Sequence, residues 1–355
     1  MDQPHRAARV EERIHALVER RLHAQGWTPR VVPYVGYGGS GWVRVLARVL
    51  LMPPGSPRSV RTDGRGWRRF VSASASGVPV TVTVGGHTHV VPSTRDGYVD
   101  VRLEGADALE PGWTHALLSV ADAEPVEAPL RIVGPATTLG LLSDIDDTVI
   151  VTMLPRPLVA FRNAFLVREI DRRPVPGMAA LYADVAAAHP DVLVVYLSTG
   201  AWNTAAALNG FLARHGYPPG PLLLTDWGPT DDGWFRSGPD HKRAQLAHLF
   251  ADFPGLRWLL VGDDGQHDPS LYAEAAAAFP DQVLAIAIRQ LSVTEQLAQH
   301  GSLVGPDPTT EPAADTGADA GAERRTPQVW APDGQALAAA LRVHGILPPA
   351  GQRPT

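Results

Sequence analysis

Near Pro135 the pattern of this chain changes, and that change limits what it can fold into. Upstream, residues 31–135 read as short strands separated by turns. Val43, Val45, Ala47 and Val49 alternate with Arg44, Leu46, Arg48 and Leu50, and Val80, Val82 and Val84 alternate with Thr81 and Thr83. Gly85-Gly86 supplies a tight turn and Asp96-Gly97 another. Downstream, apolar strands over 139–144, 192–197, 222–225, 258–261 and 283–288 alternate with helices over 177–189, 202–214, 241–250 and 269–279. Strands that alternate with helices pair in parallel, because each crossover returns the chain to the same end of the sheet. The expected fold is therefore α/β: a doubly wound parallel sheet preceded by a small antiparallel β-sandwich.

The flanks read differently. Over residues 1–30 an amphipathic helix is expected, with Val10, Ile14, Leu17, Val18 and Leu22 on one face and arginines interleaved with glutamates on the other. Residues 301–355 read as a linker rich in Pro, Ala, Asp, Thr and Gly, with a last short helix near 333–343. Four parts result: 1–30, 31–135, 136–300 and 301–355.

Composition removes several classes of function. A formal charge of −6 gives no overall basic surface, so no nucleic-acid partner is expected. The chain has no cysteine, which excludes disulfides, thiolate metal sites and cysteine nucleophiles. No run approaches the roughly 20 apolar residues that span a bilayer, and the opening Met1-Asp2-Gln3-Pro4-His5 lacks a signal-peptide core. The expected location is cytoplasmic, with any membrane contact peripheral.

Four segments that carry reactive groups fall where a strand ends or a helix begins. The apolar strand 139–144 runs into Asp144-x-Asp146-x-Thr148. The strand Val194-Val195-Tyr196-Leu197 runs into Ser198-Thr199-Gly200. His241-Lys242 opens a helix, and Leu259-Leu260-Val261-Gly262 leads into Asp263-Asp264, with Asp268 just beyond. In a parallel sheet these strand ends share one edge, where ligands bind. Paired carboxylates there suit magnesium-dependent phosphotransfer, since magnesium takes oxygen ligands and keeps some water. Asp144 is the candidate nucleophile, and Asp146 the acid that protonates the leaving oxygen and then activates water. Ser198 donates to a phosphate oxygen, and Lys242 supplies charge and holds Asp144 oriented. Thr148, Thr199 and Gly200 complete the candidate substrate-binding set. Asp144, Asp146 (through its carbonyl) and Asp263 are the candidate metal ligands, for Mg2+.

These segments resemble the motif set of the haloacid-dehalogenase superfamily. A closer resemblance rests on Asp-Ile-Asp-Asp-Thr (144–148), Pro-Val-Pro-Gly-Met (174–178) and Tyr-Leu-Ser-Thr-Gly-Ala-Trp-Asn (196–203). Asp-Trp-Gly (226–228), His-Lys (241–242) and Gly-Asp-Asp-Gly-Gln-His-Asp-Pro (262–269) complete it. Together they are similar to the actin-patch-protein phosphatidate phosphatase family, over roughly residues 130–295. Gly-Tyr-Gly (36–38) and 43–51 resemble the β-rich N-terminal region of its bacterial members. The resemblance implies a sheet of haloacid-dehalogenase type and magnesium-dependent removal of phosphate from phosphatidate to give diacylglycerol. It places the nucleophile on Asp144, the acid/base on Asp146, the hydroxyl on Ser198, the lysine on Lys242 and the metal acid on Asp263, and makes Asp268, which matches the family's later acid, a further metal ligand through water. Thr199-Gly200-Ala201 departs from the Asn-Ser-Pro-like stretch of the fungal members.

Two alternatives stay open: a phosphatase of a soluble phosphomonoester with the same mechanism, and a non-enzymatic module binding lipid or protein. Two segments are candidates for contact with a lipid surface. Residues 150–173 mix Leu158, Phe161 and Phe165 with Arg156, Arg162 and Arg168, and residues 226–240 carry Trp227, Trp234 and Phe235.

Overall fold

A computed structural model describes residues 17–56, 73–106, 109–121, 123–151, 173–225, 238–300 and 326–349. These fall into two compact units, residues 17–134 and residues 135–349. Most of the N-terminal helix, most of both candidate lipid-contact segments and most of the expected linker lie outside the described residues. Among the described residues no helix is long and apolar enough to cross a membrane.

In the first unit the chain forms β1 (Thr28–Pro33), β2 (Gly36–Gly39), β3 (Trp42–Met52), β4 (Ala73–Ser74), β5 (Pro79–Val84), β6 (His87–Pro92), β7 (Tyr98–Glu104), β8 (Gly112–Val120) and β9 (Val126–Ile132). All nine belong to one hydrogen-bonded network, ordered β1-β3-β2-β9-β8-β5-β6, with β4 and β7 on the other edge of β3. The pairs are antiparallel except β2 with β9, which run parallel. The antiparallel strands expected from the sequence are present and linked in one continuous ladder. The long strand β3 pairs with β2 through Trp42–Arg44 and with β1 through Ala47–Met52.

The alternation read from β3 holds. Val43, Val45, Ala47, Val49 and Leu51 are all at most 1% exposed and share one core with Val80, Val82, Leu118, Val120, Ala128 and Leu130. Each fully buried Val or Leu contributes about 1.5–3 kcal/mol, so this inward stripe is the main stabiliser of the unit. Residues 17–24 are helical; Leu22 packs on the core, while Leu17 and Val18 face solvent.

The second unit is the expected parallel sheet. Its strands are β10 (Leu139–Asp144), β11 (Leu193–Ala201), β12 (Leu222–Thr225), β13 (Arg257–Asp263), β14 (Val283–Arg289) and β15 (Gln328–Ala331). They lie in the order β12-β11-β10-β13-β14-β15, every pair parallel. The helices are α1 (Met178–Ala188), α2 (Ala205–Arg214), α3 (Gly238–Asp252), α4 (Asp268–Ala278), α5 (Val293–His300) and α6 (Gly334–Val343). α1 packs against α6, and α3 against α4.

β10 comes first in the chain yet lies in the middle of the sheet, with β11 on one side and β13 on the other. All six of its residues are buried, as expected of a strand covered on both faces. The chain order reverses direction around β10, and such a switch opens a crevice at the carboxyl ends of the strands. Two elements went unread in the sequence. One is β15, which adds a parallel edge strand beyond the expected linker, and the other is the short helix α5.

Candidate active site

The crevice beyond β10 gathers the residues singled out from the sequence. Asp144 ends β10, Asp263 ends β13, Asp268 opens α4, and Lys242 projects from α3. All four are at most 5% exposed. Lys242 Nζ lies 2.6 Å from Asp144 Oδ1 and 2.5 Å from Asp268 Oδ1. One ammonium therefore bridges two carboxylates, and Asp263 makes a third: ligand oxygens of Asp144, Asp263 and Asp268 all lie within 4.8 Å of one another.

The approach of Asp268 depends on a missing side chain. A Cβ at Gly262 would lie 2.5 Å from Asp268 Oδ2 and 2.8 Å from the Tyr272 ring, so only glycine fits. Asp263 is oriented from two directions. Its Oδ1 accepts from the Gly265 N–H at 2.8 Å, and its Oδ2 from the Thr148 hydroxyl at 3.2 Å. Thr148 thus points at Asp263, a role the sequence reading did not assign to it.

Ser198, Thr199 and Gly200 lie in an irregularity of β11. Leu197 pairs with Leu223 and Ala201 with Thr225, so β11 uses more residues than β12 over the same stretch. Such a bulge re-aims side chains at a strand end. Here it is held by the Thr225 hydroxyl, which donates to the carbonyls of Thr199 and Gly200 at 2.9 and 3.2 Å. The Gly200 N–H donates to Ser198 Oγ at 2.9 Å, and Ser198 Oγ donates to Asp146 Oδ2 at 3.1 Å. The Asp146 carboxylate thus meets Ser198, whereas the three clustered carboxylates are those of Asp144, Asp263 and Asp268.

The electrostatics follow from three buried acids sharing one ammonium. Burial pushes the Asp144 carboxyl up to about 8; Lys242 opposes this, while Asp268 and Asp146 add to it. Asp263 is pushed well above the carboxylate range by burial and by Asp268, Asp144 and Asp147. Burial alone would lower the pKa of Lys242, but Asp144 and Asp268 more than reverse that, so the lysine stays charged. A divalent cation fits this deficit. The donors are hard oxygens, and Asp268 Oδ2 is buried with no hydrogen-bond partner among the described residues.

Beneath the site, Ser143 Oγ donates to the Asp144 carbonyl at 2.5 Å and lies 2.5 Å from the Tyr182 hydroxyl, which anchors the end of β10. Sequence reasoning missed Tyr182, and it also missed Arg289 and Glu295 beside the loop after β10. A signal for the latter pair was present: Ser292-Val293-Thr294-Glu295 has the spacing of a helix capping box, and an arginine closes the apolar run 283–288.

Residues 139–290 match the family described as Phosphatidate phosphatase APP1, catalytic domain. Over 236 residues the chain is 30% identical to Phosphatidate phosphatase APP1 of Saccharomyces cerevisiae, covering 62% of this chain and 39% of that protein. The chain is also 23% identical over 154 residues to the uncharacterized protein C29B5.04c of Schizosaccharomyces pombe, covering 43% of this chain and 25% of that one. It therefore spans well under half the length of either relative. Among solved structures, the HAD domain of effector protein Lem4 from Legionella pneumophila is similar at 14% identity. That likeness covers 43% of this chain and 85% of the other at a TM-score of 0.29, too slight to carry an argument. The APP1 catalytic-domain match takes in every clustered residue above, and ends just before α5, β15 and α6.

Proposed function

We propose that this chain is a magnesium-dependent phosphatidate phosphatase, releasing phosphate and diacylglycerol through an aspartyl-phosphate intermediate. The supporting observation is the buried cluster of Asp144, Asp263 and Asp268 around Lys242, inside a stretch of the APP1 catalytic-domain family. Asp144 attacks phosphorus, and the bond from phosphorus to the lipid oxygen breaks. Lys242 favours the ionised form of the attacking carboxylate and holds it in place. Asp146 gives its proton to the departing oxygen, then takes one from the water that cleaves the intermediate. The Ser198 hydroxyl and the Gly200 N–H, already in one hydrogen-bonded chain with Asp146, face the phosphate oxygens. Asp144, Asp263, Asp268 and the Asp146 carbonyl would hold magnesium, which when bound would supply positive charge to those oxygens. A substrate anchored in a bilayer is reached by peripheral contact.

The test is phosphate release from phosphatidate in mixed micelles, with magnesium or with chelator, for the native chain and Asp144→Asn. Magnesium-dependent release that vanishes in a folded Asp144→Asn protein is expected. Release from a soluble aryl phosphate alone would overturn the lipid assignment, and undiminished release by Asp144→Asn would overturn the mechanism.

A further inference from the structure

The residue that follows Asp146 has an unusual backbone. Asp147 sits at φ 60, in the left-handed region, at the turn between the expected acid/base and Thr148. A side chain disfavours that region, although Asp tolerates it better than most, so the turn persists only if its surroundings hold it. Both polar groups of the Asp147 backbone are held. Its N–H donates to the Ile150 carbonyl at 2.7 Å, and its carbonyl accepts from Arg289 Nη1 at 2.8 Å.

Arg289 is built as a rigid arm. It is the last residue of β14, two strands from β10 in the sheet, and is 4% exposed. Its Nη2 donates to Glu295 Oε1 at 2.6 Å, and its Nε to the Pro332 carbonyl at 3.4 Å. Glu295 is pinned in turn, since its other oxygen accepts from the N–H and the hydroxyl of Ser292, both at 2.8 Å. One planar guanidinium thus ties the loop after β10 to α5 and to the β15–α6 junction. Lysine offers no such fork of donors at fixed angles.

We propose that Arg289 is a positioning residue for Asp146: by gripping the Asp147 carbonyl it fixes the left-handed turn that aims the Asp146 carboxylate toward Ser198. The inference rests on the phosphatase reading, in which Asp146 is the proton donor. It assigns that reading's geometry to α5 and β15, segments beyond the catalytic-domain match.

The role predicts a dependence on the leaving group. An alkoxide leaving from a lipid phosphate needs a proton, whereas 4-nitrophenolate leaves without one. Native protein, Arg289→Lys and Glu295→Gln are assayed for kcat/KM with dioctanoyl phosphatidate and with 4-nitrophenyl phosphate, alongside Asp144→Asn. General acid catalysis contributes about 10²–10⁴ in rate, so the lipid-to-aryl ratio of kcat/KM should fall at least about tenfold in the variants. Circular dichroism confirms that they remain folded, and Glu295→Gln serves if Arg289→Lys does not. Equal losses on both substrates, or no loss, would overturn the positioning role while leaving the phosphatase reading intact. A native protein without turnover, or turnover that survives Asp144→Asn, would overturn both.

Discussion

Removing divalent cations while raising the pH should destabilise the second unit, and the size of the effect can be worked from the cluster. Asp144, Asp263 and Asp268 crowd their oxygens within 4.8 Å around one ammonium, so the cation-free folded state cannot ionise all three at neutral pH. Burial lifts Asp144 to about 8 and Asp263 well above its ordinary value. The unfolded chain releases the same protons near an unperturbed Asp pKa of about 3.9. Between those values the folded state binds more protons than the unfolded state. Stability is therefore full below about pH 4 and falls as pH rises through the folded-state value, by up to about 1.4 kcal/mol per pH unit for each retained proton. A divalent cation at a hundred times its dissociation constant adds about 2.7 kcal/mol. Because it competes with protons for the same oxygens, that gain should grow with pH.

Urea unfolding at several pH values from 5 to 8, with chelator or with magnesium, reads this directly. Asp268→Asn relieves the crowding, so the transition it flattens is the one the cluster controls. The variant also subtracts the background from Asp264, whose carboxyl is raised by burial in the same direction. Two results would refute the reasoning: a chelator curve flat over this window, or a magnesium effect equal at pH 5 and pH 8.

Two further changes follow from the same geometry. Lys242→Ala should reduce turnover on the order of a hundredfold or more, measured as kcat/KM on phosphatidate, because it removes the charge that holds Asp144. Gly262→Ala places a methyl group 2.5 Å from Asp268 Oδ2 and should weaken magnesium binding by about tenfold or more, read by calorimetric titration.

Much of the second unit was legible because its strands are short apolar runs and its helices carry an alanine-rich, 3.6-residue pattern. Motif order then placed Asp144, Ser198, Lys242 and Asp263 near one another, since β11, β10 and β13 are adjacent and end at one edge. What escaped was set by contacts with no local pattern. β15 is four residues long and follows a segment of linker composition; its pairing from Gln328 to Ala331 against Ile286–Arg289 decides its state. The bulge at Ser198–Gly200 depends on the Thr225 hydroxyl, far along the chain. Motif spacing likewise could not show that the carboxylate of Asp146 meets Ser198 while that of Asp268 joins the cluster. In the first unit, the alternation in β3 identified the buried face, but the period of a strand says nothing about how many sheets share it.

The second unit breaks its own packing rule in one place. Everywhere along β10 the side chains are apolar or small until Asp144, and there three carboxylates meet one lysine, with one carboxylate oxygen left without a hydrogen-bond partner among the described residues. Replacing such a cluster with well-packed apolar residues is often neutral or stabilising, so folding does not account for its presence. The surrounding structure holds it firmly in spite of that conflict. Gly262 makes room for Asp268, Thr148 and Gly265 orient Asp263, and Ser143 anchors the carbonyl of Asp144. A costly charge imbalance combined with careful orientation of every member is the mark of a site kept for its chemistry. The imbalance also has a direction. Excess negative charge on hard oxygen donors attracts a divalent cation, and without that cation it would repel the phosphate that the site is proposed to cleave. Cation binding and substrate binding should accordingly be coupled, each strengthening the other.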